Sequence, residues 1–490
     1  MTEHGNLAEH VDVLIVGAGP TGLALGVDLA RRGVEALVVE RGAGLSPGSR
    51  GKGLQPRTME VFDDLGVLDA ILSAGGDYPV GMVWRNGERV AEQNMFDPAE
   101  TNEDSPYGAP WMVPQWRTQE ILRSRLDELG GRVSFGREVT GIAQDADGVT
   151  VEFASGAPVR ARYAVAADGG RSVIRRALGI GMTGETVDPN PILVADTRIT
   201  GLDRDNWHIF PPQGDEGFLA ICPLAGTEDF QVVAQLLDDS APDLSLDGVR
   251  KLVAARSHLA PEDVTEVRWA SDFRPRAALA DRFQEGRVFL AGDAAHVHSP
   301  AGGQGLNTSV QDAYNLGWKL SAVLRGEAPA NLLDTYEEER RPNAAEMLGL
   351  STKVHRGEAR RGEATRQLGI GYRESSLTEE TRAASDGLRA GDRAPNRTIA
   401  GVRLLDAFRG PHWTLLALGT AAPALGNSNS NSNSNSNSNA VRVVEGPPTE
   451  PYGTGLFLVR PDGYVGWAGD TESGLAKYTE RFNLGRPTGS

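Results

Sequence analysis

Val11-Asp12-Val13-Leu14-Ile15-Val16-Gly17-Ala18-Gly19-Pro20-Thr21-Gly22 is the stretch that decides the fold of this chain. Residues 11–16 form a short apolar run, as a strand buried on both faces of a parallel sheet requires. A helical pattern follows from Thr21 to Arg32 and ends at Gly33, and Val34 to Val39 supply a second apolar strand. Between them Gly17, Gly19 and Gly22 take the GxGxxG spacing. Without Cβ atoms they permit a tight turn and let a pyrophosphate approach the helix N-terminus, whose free N–H groups favour negative charge. Glu40 ends the second strand, 18 positions after Gly22, where a carboxylate can accept ribose hydroxyls. An ordinary glycine turn would need neither the strand, the helix nor the acid, so we read a βαβ dinucleotide fold.

Length sets the frame around it. A chain of 490 residues suggests roughly three domains at about 150 residues each. With 40% hydrophobic and 23% charged residues, the composition is that of a globular protein. A net charge of −17 opposes binding of a phosphate polymer, so no nucleic-acid partner is expected. No window is apolar enough to span a membrane, and the N-terminal residues lack a signal-peptide pattern, so the expected location is cytoplasmic. Cys222 is the only cysteine, which rules out an internal disulfide or CxxC pair and leaves redox chemistry to a bound cofactor. No metal spacing such as HExxH is present, and no metal is expected.

A second string, Gly179-Ile180-Gly181-Met182-Thr183-Gly184, also fits GxGxxG. It follows a helical segment, Ser172 to Leu178, and reads as a chance match. Two further strand ends carry chemistry. Asp168-Gly169-Gly170-Arg171-Ser172, with Arg175, follows the strand ending at Ala167, and Gly292-Asp293-Ala294-Ala295-His296 follows Val288-Phe289-Leu290-Ala291. An Asp at the carboxyl end of a parallel strand is well placed for cofactor hydroxyls. Pro300-Ala301-Gly302-Gly303-Gln304-Gly305-Leu306-Asn307 is a glycine-rich loop opening a helix, suited to bring backbone N–H groups against a flat ring.

In this order, and with Ser49-Arg50-Gly51-Lys52-Gly53-Leu54 between them, the motifs resemble the single-component FAD-dependent aromatic hydroxylases of the p-hydroxybenzoate and phenol hydroxylase type. Within that family the chain looks most like hydroxylases of aromatic polyketides and the rifampicin-type monooxygenases, over about residues 10–350. The resemblance implies an α/β (α+β overall) architecture: a Rossmann-like FAD-binding domain (1–75, 111–180 and 280–384), a β-rich antiparallel substrate domain (76–110 and 181–279) and a thioredoxin-like C-terminal domain (385–490). The last match rests on Gly391-Asp392-Arg393-Ala394-Pro395 and Leu458 to Gly463. Without a cysteine, that domain is expected to be structural. The Asn-Ser alternation at 427–439 within it reads as a low-complexity loop.

Residue by residue, the resemblance places FAD on Gly17, Gly19, Pro20, Thr21 and Gly22, with Glu40 on the adenosine ribose and Arg41 and Val139 among the further contacts. Arg50 and Gln119 would lie near the pyrophosphate, Asp293 at the ribityl chain or diphosphate, and Gly303, Gly305, Leu306 and Asn307 at the isoalloxazine. Asp168 and Gly169 would serve FAD and transiently bound NADPH or NADH. Reduced flavin would react with O2 to give a C4a-hydroperoxide that oxygenates a small aromatic substrate, in secondary metabolism such as polyketide antibiotic biosynthesis. Arg50 and Pro300 are the expected catalytic contributors at the ring face.

Phe210, Phe218 and Pro223 are candidate substrate walls, although aromatics on alternating strands are more often core. His208 and His296 read more readily as structural than as bases, and Cys222 as a buried hydrophobe. Baeyer–Villiger oxygenation of a ketone and a non-catalytic flavin- or aromatic-binding protein remain as alternatives. A flavin halogenase fits less well, because Trp111 and Trp116 lack its Trp-x-Trp-x-x-Pro spacing. Oligomeric state is left open; a homodimer with the third domain at the contact is one such assembly.

Overall fold

The apolar run that opens the dinucleotide motif is the central strand of a parallel sheet. In the computed structural model, which describes residues 9–97, 101–214, 216–237, 242–383, 387–423 and 441–482, Glu9–Val16 pairs in parallel with Ala36–Val39 on one side and Val159–Ala166 on the other. Arg132–Ser134 and Val288–Leu290 extend the parallel sheet at its two edges. Val13, Leu14 and Ile15 are fully buried. Each such side chain contributes roughly 1.5–3 kcal/mol by leaving water, which explains why the run carries no polar alternation. Helix Pro20–Arg31 covers the sheet and packs against Gly305–Leu324 and Gln115–Glu128. Sequence neighbours of Gly17 are thus joined to residues almost 300 positions away.

A seven-stranded sheet follows the order Val264–Phe273, Ile192–Ile199, Phe230–Gln235, Leu219–Pro223, Asn206–Phe210, Val80–Arg85, Glu88–Gln93. The expectation of a purely antiparallel sheet needs one correction, because Asn206–Phe210 and Val80–Arg85 run parallel. A parallel neighbour needs a long crossover, and the chain between residues 85 and 206 supplies it by passing through the first sheet. One face is sealed by helix Leu246–Arg256, whose Val249 and Val253 are fully buried. The other face is turned towards the dinucleotide fold.

Met182–Thr186, Arg276–Ala280 and His296–Val297 form a small antiparallel sheet. The second GxGxxG string therefore runs into a strand and lacks the helix a pyrophosphate would need. Among the described residues no helix is long and apolar enough to cross a membrane.

The C-terminal sheet has the order Glu379–Glu380, Val465–Gly469, Gly455–Val459, Trp413–Leu418, Val441–Gly446. Strand Trp413–Leu418 is parallel to the edge strand Val441–Gly446 and antiparallel to the central strand Gly455–Val459, the mixed pattern of a thioredoxin-like core. The Asn-Ser tract lies outside the described residues. This unit is welded to the helices of the first by a buried ionic cluster. Arg460 donates to both carboxylate oxygens of Glu339 (2.6 and 2.9 Å) and to Asp462, and Lys319 Nζ donates to Glu339 Oε2 at 2.7 Å.

Candidate active site

Three loops leave the carboxyl ends of three adjacent parallel strands and meet. Gly17 has φ +111°, and a Cβ there would lie 2.3 Å from the carbonyl oxygen of Ala167 and 3.2 Å from the Cα of Asp168. The first loop therefore touches the second. A Cβ on Gly292 would come within 2.6 Å of Thr21 Oγ1, which joins the third loop to the first. Around Gly19 there is open space, since a Cβ would meet nothing within 4 Å. Helix Pro20–Arg31 begins there without a side-chain cap, so its leading N–H groups are left for a ligand.

Glu40 is turned onto this loop. Its Oε2 accepts the Ala18 N–H at 3.0 Å and its Oε1 the Gly42 N–H at 2.9 Å. Arg137 N–H donates to the Glu40 carbonyl at 2.9 Å, which brings the start of strand Val139–Gln144 close to the same edge; Val139 itself is buried and paired with Phe153. Arg41 is exposed beside them. Gln119 is buried, and its amide donates to the Ser46 carbonyl at 2.9 Å, so it props up the loop that carries Arg50.

Asp168 divides its carboxylate. Oδ2 accepts the Val173 N–H at 2.7 Å and caps the short helix Val173–Ala177, whereas Oδ1 is buried without a partner. Burial pushes the pKa of Asp168 up. Asp293 is solvent-exposed yet surrounded by protein, as a cleft wall is; burial raises its pKa, and His296 and Arg50 oppose that rise. The Arg50 guanidinium lies 5.9 Å from the Trp269 ring and donates to Ser271 Oγ at 3.2 Å.

The Pro300 loop is pinned by Asn307. Its Oδ1 accepts the Gln55 N–H at 2.8 Å, and its Nδ2 donates to the carbonyls of Gly53 (2.9 Å) and Gly303 (2.8 Å). The Asn307 side chain is therefore spent on holding the 53–55 and 303 segments together. That leaves the uncapped start of helix Gly305–Leu324 and the exposed Pro300 as the surfaces available to a ring. Leu306 packs beside Gly51, and Gly305 beside His298.

These features fit a bound flavin dinucleotide: an open cradle at Gly19, an uncapped helix start beside it and an unpartnered Asp168 oxygen. The comparisons agree. A family model described as "FAD binding domain" matches residues 10–351, and one described as "Aromatic-ring hydroxylase, C-terminal" matches 386–487. The chain belongs to the FAD-dependent aromatic-ring hydroxylases.

This hydroxylase is 47% identical over 476 residues to a flavin-dependent monooxygenase of Mycobacteroides abscessus, covering 94% of this chain and 97% of the relative. It is 34% identical over 497 residues to a rifampicin monooxygenase of Rhodococcus hoagii (95% and 96% covered). Among solved structures, aklavinone-11 hydroxylase in a ternary complex with FAD and aklavinone superposes with a TM-score of 0.81 at 30% identity, covering 99% of this chain and all of the other. The protein is a flavin-dependent monooxygenase by family, and FAD is its cofactor.

Some supporting residues of the hydroxylase carry no local sequence signal. Asp312, fully buried on helix Gly305–Leu324, accepts the Gly292 N–H (3.0 Å), pairs with His296 (2.6 Å) and receives Arg340 Nε at 2.8 Å. Burial works against its charge, but His296 and Arg340 prevail and hold its pKa down. The stabilisation is therefore present above the unfolded aspartate pKa and is lost as pH falls through the folded value. Asp312→Asn should cost ~3 kcal/mol, read as a lower Tm, and should weaken FAD binding because Gly292 loses its anchor. An unchanged Tm would refute this.

The β-rich sheet supports the Arg50 loop with a polar row on its inner face. Asp196 Oδ2 accepts the Ser49 N–H at 3.0 Å, Gln231 donates to the Ser49 carbonyl, and Lys52 Nζ donates to Gln231 Oε1 at 2.5 Å. Their signal was visible in part, as polar residues at alternate positions of the apolar runs Ile192–Ile199 and Phe230–Gln235.

Phe210 is not a substrate wall. It is 3% exposed and packs in the core beneath helix Leu246–Arg256, because its side chain points to the sealed face. Phe218 is half-buried at the edge of the sheet. Pro223, by contrast, lines a cavity of ≈ 460 Å³ together with Met112, Ala225 and Arg204. His208 is fully buried, accepting from Trp84 Nε1 (3.1 Å) and bonding the Asp203 carbonyl (2.9 Å). Like His296, it is committed to structure.

Proposed function

We propose that this protein is an NAD(P)H- and O2-dependent hydroxylase of an aromatic, polyketide-type substrate in secondary metabolism. The observation that carries the reading is the meeting of the Gly17, Asp168 and Gly292 loops at one sheet edge, together with the packing of Leu306, on the helix that follows the Pro300 loop, against Gly51. FAD, when bound, would supply the hydride-accepting and O2-activating chemistry.

The chain's own residues bind, orient and shield. Gly17, Gly19, Pro20, Thr21 and Gly22, with the uncapped helix start, hold the pyrophosphate, and Glu40, flanked by Arg41 and Val139, takes the ribose. Gln119 fixes the loop from which Arg50 neutralises the phosphates or the ring edge. Asp293 would accept from the ribityl chain or diphosphate, and Asp168 with Gly169 would serve FAD and the incoming nicotinamide. Gly303, Gly305, Leu306 and the Asn307 backbone would border the ring, with Pro300 contributing at its face. Shielding of the ring by this loop and the second sheet would keep water from diverting the reduced cofactor to H2O2. The same reading divides the chain at 1–75, 111–180 and 280–384 for FAD, 76–110 and 181–279 for substrate, and 385–490 for the third domain.

The test is NADPH-dependent O2 uptake by the FAD-loaded protein with phenols and polycyclic aromatic ketones, with products followed by mass spectrometry and NMR. A hydroxylated ring with one added oxygen is the expected outcome. Ring expansion would move the assignment to Baeyer–Villiger oxygenation. Slow, substrate-independent H2O2 formation throughout would refute the hydroxylase reading.

A further inference from the structure

The loop from Pro300 to Asn307 is anchored at both ends, and the two anchors lead to different parts of the molecule. At its far end Asn307 ties it to Gly53 and Gln55 of the dinucleotide fold. At its near end stands Ser299, wholly buried, whose Oγ lies 2.9 Å from Nδ1 of His355. His355 is the last residue of helix Asp334–His355, and its Nε2 lies 3.8 Å from Asp188 Oδ2. The Asp188 carboxylate is held in turn by the second sheet and the turn that leads into it. Its Oδ2 accepts the side-chain amide of Gln235, at the end of strand Phe230–Gln235, and its Oδ1 the Asn190 N–H, each at 2.9 Å.

Serine, imidazole and carboxylate in this order resemble a hydrolytic triad, but a wholly buried Ser299 is out of reach of any substrate and does not act as a nucleophile. What the set can do is transmit position. A carboxylate facing Nε2 favours the proton there, which leaves Nδ1 to accept the Ser299 hydroxyl. A charged ring would donate from Nδ1 to the same oxygen, so the link holds in either state. The helix also lies directly against the loop: a Cβ on Gly302 would come within 3.1 Å of the Ser351 Cα. Gln304 stiffens the loop by donating its amide to the Gly302 carbonyl at 2.8 Å. The near end of the loop therefore follows His355, and His355 follows the second sheet.

We propose that His355 is a positioning residue, which through Ser299 and Asp188 fixes the Pro300 loop, and with it the surface offered to the flavin ring, to the second sheet. This rests on the hydroxylase reading, in which that loop borders the ring. Without the link the loop must be ordered when FAD binds, and the lost entropy weakens binding.

FAD affinity of the apoprotein, titrated by flavin fluorescence, is the readout. Ser299→Ala and His355→Phe should each weaken FAD about 5- to 10-fold. The double variant should lie within about 2-fold of either, because both changes remove one link. His355→Asn, whose amide can replace Nδ1, should stay within about 2-fold of the wild type. Asp188→Ala should weaken FAD about 3-fold or more from its place beside the second sheet. Arg356→Gln, which removes only the exposed neighbouring pair with Glu185 (3.0 Å), should shift it by less than about 2-fold. Tm and circular dichroism identify a misfolded variant, and the remaining single substitution then carries the test against His355→Asn. Unchanged FAD affinity in folded Ser299→Ala, His355→Phe or Asp188→Ala protein overturns the proposal. So do additive losses in the double variant, an equal loss in His355→Asn, or a loss in Arg356→Gln as large as that in His355→Phe. Failure of the hydroxylase reading is separate: it is the absence of oxygenated product from the wild type, which FAD titration does not measure.

Discussion

Gly17→Ala yields a protein that purifies without flavin and melts earlier than the wild type. At φ +111° a side chain is strained by about 1–3 kcal/mol, and the new methyl would lie 2.3 Å from the Ala167 oxygen and 2.7 Å from its carbon. Neither backbone can retreat easily. Gly17 N–H bonds Val39 and Ala167 N–H bonds Val16, each at 2.8 Å, so relief means prising adjacent strands apart. Every such shift moves the Gly17–Gly22 cradle relative to Asp168, and a loss of at least ~100-fold in FAD affinity, about 2.7 kcal/mol, is expected. Flavin absorbance of the purified protein and fluorescence titration of the apoprotein measure it. Stoichiometric FAD at wild-type affinity would show that this edge of the sheet is not where the cofactor binds.

Glu339→Gln is expected to separate the third domain from the first. The carboxylate is wholly inaccessible and is shared by Arg460 and Lys319. Although burial disfavours its charge, Arg460 and Lys319 hold its pKa well below the usual glutamate range. Removing one partner of a buried ionic cluster leaves uncompensated cations and costs ~3–5 kcal/mol, or about 10 °C in Tm. The sign in pH follows from the depressed pKa. Glu339 contributes its full stability above an unfolded value of about 4.3 and loses it progressively below, so the variant should be less sensitive to acid than the wild type. Asp127→Asn, which breaks only the exposed pair with Arg123, should stay within about 1 kcal/mol. Equal melting of the two variants would contradict the proposed weld.

The dinucleotide motif was legible because its causes are local. A buried strand, glycines that a turn demands, a helix start and an acid at fixed spacing are dictated by backbone geometry within some 30 residues, and the structure places Gly17, Gly19, Thr21, Glu40 and Asp168 accordingly. The strand-ending Gly292-Asp293 was legible for the same reason. Side-chain roles were less so. Asn307 was read as a ring contact, but its amide is consumed by Gly53, Gln55 and Gly303. Phe210 was offered as a pocket wall, but its strand turns it into the core. Alternation says that two faces exist, not which one is sealed by a helix.

By itself the sequence determined the order of the strands that bear loops, the identity of the dinucleotide turn, the lack of an internal disulfide and the family. Only the tertiary structure decided that Asp312 anchors Gly292, that Arg50 lies beside Trp269, that Glu339 joins two domains, and that Lys52 and Arg361 share one indole. Turn geometry and strand burial are written in neighbouring residues. Charge pairing and shared rings arise between residues as much as some 300 positions apart, where only packing sets the distance.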